Sequence, residues 1–154
     1  AYRNIRELFN CLYNAVYVEE RYLMVHGGLP SKTRNRKEIA QADELDPQKT
    51  ILEELLWNDP DEEVRGVYPS PRGSGNLFGI TVTREILAKL NVKILIRGHE
   101  SPRDGFKINH GGKILTLFSR KGPPYFNING AFLNLPLAEK FESATQLVPY
   151  IHKF

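Results

Sequence analysis

Apolar positions along this chain change period several times, and each change marks a new element. Ile5, Leu8, Phe9 and Leu12 fall at helical spacing in "IRELFNCL". The pattern then shortens to two strand-like runs, "NAVYV" and "YLMV", parted by the charged "EER", which predicts the end of a helix feeding a β-hairpin. Residues 31–48 are polar and charged, and Asp46 before Pro47 marks the start of a helix over "QKTILEELLW", with Leu52, Leu55 and Leu56 on its apolar face. "NDPDEEVRGVYPSPRGSGNLFG" is rich in proline and glycine and has too little periodicity for a regular element, so it is predicted to be a long loop of the kind that often carries function. "TVTREILAKLN" is amphipathic and helical, with Thr81 or Thr83 as cap, and "VKILIRGH" is a β-branched strand ending at Gly98-His99. "GFKIN" and "KILTLFS" alternate like strands around a two-glycine turn, and "GAFLNL" alternates in the same way. "SATQLVPYIHKF" offers one edge strand, because Pro149 cannot donate to a central ladder. The sum is a mixed α/β chain with several strands late in the sequence.

Length adds that 154 residues suit one core, and so one domain or a piece of one. Lys and Arg total 21 against 18 Asp and Glu, and they are scattered rather than blocked, which argues against a nucleic-acid partner. The lone cysteine, Cys11, rules out an internal disulfide and a Cys-rich zinc site; beside Leu8, Phe9 and Leu12 it is expected to be a buried thiol in a reducing compartment. No apolar run has the length of a membrane span, and the charged opening "AYRNIRELFN" is unlike a signal peptide, so the expected setting is the cytoplasm, away from membranes.

Candidate chemistry centres on the histidines. "YLMVHGGLP" ends a buried-looking strand on His26 with two glycines behind it, and "INHGGK" repeats His-Gly-Gly at His110. His26 reads either as a half-buried, hydrogen-bonded strand-end residue or as a metal ligand, which needs a rigid backbone and small neighbours that let other groups approach. His99 repeats that design, just past an apolar strand and next to Gly98, with Arg97 and Glu100 close by, so the two strand-end histidines suggest one shared site. His110, by contrast, sits where a tight reversal is needed and is expected to be a solvent-facing turn residue. His152 lies two residues from the last one and is expected to fray. Arg72, in "SPRGSG", reads either as a solvated loop cation or as a fork of donors for carboxylate or phosphate oxygens. Asp59 and Asp61 read locally as turn residues that close the preceding helix before Pro60.

Taken in order, "VHGGLP", "LLWNDPD", "RGSGNLFG", "LIRGHE" and "LTLFS…NGAF" resemble the second half of the phosphoprotein phosphatase family of serine/threonine phosphatases, a branch of the calcineurin-like metallophosphoesterases; the likeness runs from about Ile5 to about Leu135. The resemblance implies the C-terminal half of a metallophosphoesterase-type α/β sandwich, two mixed β-sheets flanked by helices, with residues 1–154 forming half of one catalytic domain. It implies a two-metal hydrolase of phosphoserine and phosphothreonine, using two divalent ions drawn from Mn, Fe or Zn, in which the paired ions activate a water for in-line attack on phosphorus. Onto this chain it carries His26 and His99 as ligands of one ion, Arg72 as a phosphate-binding residue, and Asp59 as an acid behind the ligands. The implied partners are a phosphoprotein substrate and the N-terminal half of the catalytic domain. That half would bring the family's "GDxHG", "GDxVDRG" and "GNHE" strings, none of which occurs here, and the chain alone is therefore expected to be inactive. Tyr125, in "FSRKGPPYFNINGA", stands where the family has a longer Asn-Tyr-Cys loop and takes no role from it. A dinucleoside polyphosphate hydrolase of the same superfamily and a non-catalytic phosphatase-like binding module are the alternatives.

Overall fold

The computed structural model describes residues 2–9, 11–43, 48 and 50–154. Its centre is a five-stranded mixed sheet in the order β1-β2-β6-β8-β7. The hairpin β1 (Ala15–Val18) and β2 (Tyr22–Val25) is antiparallel, β2 pairs in parallel with β6 (Ile94–Arg97), β6 pairs in parallel with β8 (Ile114–Leu117), and β7 (Phe106–Asn109) closes the edge antiparallel to β8. Central strands covered on both faces are expected to be mostly apolar, and "YLMV", "ILIR" and "ILTL" are, apart from Arg97 and Thr116.

Side-chain alternation divides the sheet into two faces. Leu23, Val25, Leu95 and Ile114 pack with Leu55, Phe78, Ile86, Leu87 and Leu90 under the helices α2 (Arg36–Ala40), α3 (Thr50–Trp57) and α4 (Ile80–Lys89). Tyr22, Ile94, Ile96 and Leu115 face the other way, against Phe141, Ala144 and Leu147. Those last two belong to a 3-10 helix, Ala144–Tyr150, which is followed by β10 (Ile151–Lys153) pairing with β9 (Ala131–Leu133). The remainder of this face is an apolar groove of about 330 Å³ lined by Met24, Ile96, Leu117, Leu133 and Leu135. A three-stranded sheet, β3 (Asp59–Pro60), β5 (Asn76–Phe78) and β4 (Val67–Pro69), joins α3 to α4. The chain thus has mixed sheets with flanking helices, as the resemblance implies.

Several expectations are corrected. The presumed loop after α3 contains the three-stranded sheet, because the reversal around Gly73 and Gly75 lets Val67–Pro69 pair with Asn76–Phe78 over very few residues. Within the polar stretch the short helix α2 forms on Asn35, whose side chain accepts from the backbone N–H groups of Lys37 and Glu38. The expected start of α3 at Asp46 and Pro47 lies outside the described residues, while α3 itself matches the leucine face. Gly79, not Thr81 or Thr83, caps α4, and Thr83 is buried with its hydroxyl on His110. Pro149 lies in the 3-10 helix, started by a capping box between Ser143 and Gln146, so only Ile151–Lys153 is strand. The first helix, α1 (Tyr2–Phe9), forms as predicted but buries nothing: Leu8 and Phe9 are 59% and 62% exposed, and Cys11 is exposed rather than buried because no described residue covers that face.

Candidate functional site

Strand register places the two histidines together. In the parallel pair β2–β6, Val25 lies opposite Arg97, so both strands end at the same level, and His26 and His99 emerge there. The C-terminal ends of neighbouring parallel strands are where α/β sheets usually bind ligands. The His26 carbonyl accepts from the Gly98 N–H at 3.1 Å, which ties the two strand ends together. His99 has φ +68°, a left-handed conformation that costs a non-glycine residue free energy and is held by its surroundings. The rings meet edge to face with centroids 5.1 Å apart, and the indole of Trp57 also meets His99 edge to face, at 5.4 Å.

The glycines behind His26 are explained by close approach. A Cβ on Gly27 would lie 2.4 Å from the backbone carbon of Leu56, and one on Gly28 would lie 2.6 Å from the carbonyl oxygen of Asn58. The end of α3 packs directly on this segment, and the Gly27 N–H donates to the Leu55 carbonyl at 2.7 Å. In the second His-Gly-Gly the glycines serve a turn instead, with φ of +64° at Gly111 and +87° at Gly112.

Beneath the histidines lies a buried ionic cluster. Arg97 is 2% exposed; its Nη2 donates to Asp59 Oδ1 at 2.7 Å, its Nη1 to Glu100 Oε2 at 2.5 Å, and its Nε to the Gly27 carbonyl. Asp59, in β3, is buried as well and holds Arg72 Nε at 3.5 Å through Oδ2. Arg72 sits at the tip of the β4–β5 hairpin, where Gly75 presses on the Trp57 backbone, and its Nη1 lies 3.1 Å from His99 Nε2. Arg72, Asp59 and Glu100 also line a cavity of about 420 Å³ with Asp61, Glu62 and Lys107, so the guanidinium is open to a ligand.

The surroundings of both histidines favour the neutral form. Burial pushes each below its ordinary 6.5, and Arg97 adds to the shift in both, with Arg72 a further positive neighbour of His99; the Asp59 carboxylate opposes it in both. Neutral imidazole is the form that ligates metal. His99 Nδ1 and His26 Nε2 are 3.2 Å apart. Two ligand nitrogens each about 2.0–2.1 Å from one ion, at bond angles of about 90–110°, would be about 2.9–3.4 Å apart, so the pair fits. Among the described residues no group of three His, Cys, Asp or Glu side chains could hold an ion, so any ion bound here needs further ligands from elsewhere.

The sequence-derived candidates His26, His99, Arg72 and Asp59 therefore converge on one place, whereas the other two histidines do not join them. His110 occupies the β7–β8 turn but is 1% exposed rather than solvent-facing. Its Nδ1 is 2.7 Å from Thr83 Oγ1, its Nε2 is 3.0 Å from the Asp61 carbonyl, and Phe78 packs on the ring. His152 is not frayed: it lies in β10, stacked on Phe132. Sequence reading noted Arg97 only as a neighbour; an arginine closing an otherwise apolar central strand was the signal for a buried cation. Trp57 was missed as an aromatic neighbour of His99, and only its place beside Asn58-Asp59 hinted at it.

Residues 1–102 match the family model of the calcineurin-like phosphoesterases. A probable serine/threonine-protein phosphatase of Encephalitozoon cuniculi is 34% identical over 150 residues, 96% of this chain and 32% of that protein. Serine/threonine-protein phosphatase 5 of Solanum lycopersicum is 38% identical over 116 residues, 73% of this chain and 21% of that one. Among solved structures, a protein serine/threonine phosphatase of Saccharomyces cerevisiae with similarity to human phosphatase PP5 superposes with a TM-score of 0.76 at 26% identity, over 99% of this chain and 50% of that one. The chain spans about a third or less of these curated relatives and half of the solved structure. No helix among the described residues is long and apolar enough to cross a membrane. With the family model matched over residues 1–102 of 154 and with relatives named as serine/threonine phosphatases, the chain belongs to the calcineurin-like phosphoesterase family.

Proposed function

We propose that this chain supplies one half of a two-metal centre that hydrolyses phosphoserine and phosphothreonine in cytoplasmic proteins, the other half coming from the N-terminal part of such a catalytic domain. The observation that carries the reading is the convergence of His26 Nε2 and His99 Nδ1 at 3.2 Å with the Arg72 guanidinium beside them. His26 and His99 would hold one of two divalent ions, Mn, Fe or Zn, and the ions would activate water for attack on phosphorus. Arg72, on an exposed hairpin tip, would bind the phosphate oxygens through its planar fork of donors. Asp59 would keep Arg72 and Arg97 aimed while remaining behind the ligands. The names of the relatives favour phosphoprotein over dinucleoside polyphosphate as substrate.

The test is Arg72→Ala in the enzyme completed with an N-terminal half. Turnover on a phosphoserine peptide should fall about 100-fold or more, the usual loss when a donor to developing charge is removed. Unfolding should shift by less than about 1 kcal/mol, since a loop cation buries little apolar surface. Normal turnover would overturn the assignment, and faster hydrolysis of a dinucleoside tetraphosphate than of the peptide would move it to the other substrate class.

A further inference from the structure

Two buried side chains, Glu54 in α3 and Asn58 just after it, each reach both halves of the site. Asn58 has no exposed surface: its Nδ2–H donates to the Leu29 carbonyl at 2.8 Å, and its Oδ1 accepts from the Asn76 N–H at 2.7 Å. Glu54, 3% exposed, accepts from the Ser31 N–H at 2.8 Å, from the Ser31 hydroxyl at 2.7 Å and from Asn76 Nδ2 at 3.1 Å. Leu29 and Ser31 belong to the segment that runs on from His26, and Asn76 opens β5, the arm of the hairpin that follows Arg72. Each side chain therefore ties the backbone behind the candidate ligand to the backbone behind the candidate phosphate arginine. The two anchor points differ in how else they are held. β2 lies between β1 and β6, whereas β4 has no buried residue and pairs with β5, which rests in turn on the two-residue strand β3. The exposed tip at Arg72 thus takes its place through the start of β5. A buried amide or carboxylate that loses a partner there is left desolvated and unpaired, so the two bridges resist opening.

We infer that Glu54 and Asn58 are positioning residues that, through Asn76, fix the separation between the strand end carrying His26 and the hairpin tip carrying Arg72; this rests on the function proposed above. A phosphate gripped by Arg72 must lie at a set distance from the ion side of the site, and a misplacement of about 1 Å can cost on the order of 100-fold in rate. A hairpin freed from the bridges still brings the guanidinium to the phosphate, but at a variable distance from the strand end. The loss then falls on kcat rather than on KM.

The test is Asn76→Ala, at a half-buried position, which removes the amide held by Glu54 and leaves the backbone N–H on Asn58. In the enzyme completed with an N-terminal half, kcat on a phosphoserine peptide should fall about ten-fold, the worth of one hydrogen bond to a charged group. KM and the Mn2+ concentration needed for activity should stay as in the wild type. Asn58→Asp, which turns a second oxygen against the Leu29 carbonyl, should give the same split. In an Arg72→Ala background Asn76→Ala should cost no further turnover, because the group it positions is gone. Independently of activity, 15N relaxation of the metal-free chain should show the Arg72 and Gly75 amides more mobile in Asn76→Ala and those of Leu23 and Val25 unchanged. Losses that add in the double variant, a kcat that stays at the wild-type value, or a Gly75 amide as rigid as before overturn the positioning role and leave the assignment of Arg72 intact. Wild-type turnover in Arg72→Ala overturns that assignment and the positioning role with it.

Discussion

Arg97 shows most plainly how much one residue carries at this site. Its guanidinium has no solvent-exposed surface, while Asp59 is 5% exposed and Glu100 28%. Removing one partner of a buried pair leaves the other charge desolvated, so Arg97→Met should cost about 3–5 kcal/mol in urea unfolding. Asp59→Asn in the same background should recover part of that loss; a cost below about 1 kcal/mol would mean that the cluster is wet. The two ligand candidates predict a pH dependence. Their folded values lie below 6.5, so between that value and the folded ones the unfolded chain binds more protons, and stability must fall as pH drops below 6.5. Urea midpoints at successive pH values should decline there in the wild type and decline less in His26→Ala/His99→Ala. Equal slopes would show that neither ring is held neutral. Glu62, pulled below its ordinary value chiefly by the His110 N–H, stabilises the fold above 4.5 and loses that contribution only as pH falls below it, which keeps the two effects apart. His26 and His99 were legible because each ends a run of apolar residues. The burial of His110 was not, since it depends on Thr83, Asp61 and Phe78, three residues from distant segments that only the fold brings to the turn.

At the scale of elements, periodicity sufficed wherever an element buries one regular face. The hairpin β1–β2, the leucine face of α3, α4, β6 and the hairpin β7–β8 all follow from it. It failed where pairing partners are short and remote: Asp59–Pro60 is a strand only because Leu77 and Phe78 lie beside it, and no local pattern announces that. The polar stretch hid α2, whose single buried residue is Ile39. Two substitutions separate elements that are held in place from one that is not. Gly27→Ala forces its methyl group into the α3 backbone, so it should shift His26, abolish ion binding and lower the urea midpoint. Leu8→Ser on the exposed face of α1 should change the stability of this chain by no more than about 0.5 kcal/mol, against about 2–5 kcal/mol for Leu55→Ala in the core. A large loss at Leu8 would mean that α1 is packed in solution.

For the molecule as a whole, the pattern of open surface agrees with the proposed half-centre. The apolar groove beside Met24 and Leu117 and the bare face of α1 are surfaces that the proposed further part of the catalytic domain would cover, and an ion held by the two histidines, as proposed, would take its further ligands from the same source. The fold class and the pairing of His26 with His99 could be read from sequence because strand ends and motif order are local properties; how three sheets share the two faces was not, because it is set by pairing across the whole chain. The decisive measurement is turnover of a phosphoserine peptide with Mn2+ by the purified 154-residue chain, alone and mixed with a separately made N-terminal half carrying the absent motifs. The account predicts no turnover by the chain alone, since two-metal hydrolysis needs both ions and their full ligand sets. It predicts turnover in the mixture that His26→Ala or His99→Ala abolishes. Turnover by the pure chain, or activity in the mixture that survives loss of either histidine, would contradict it.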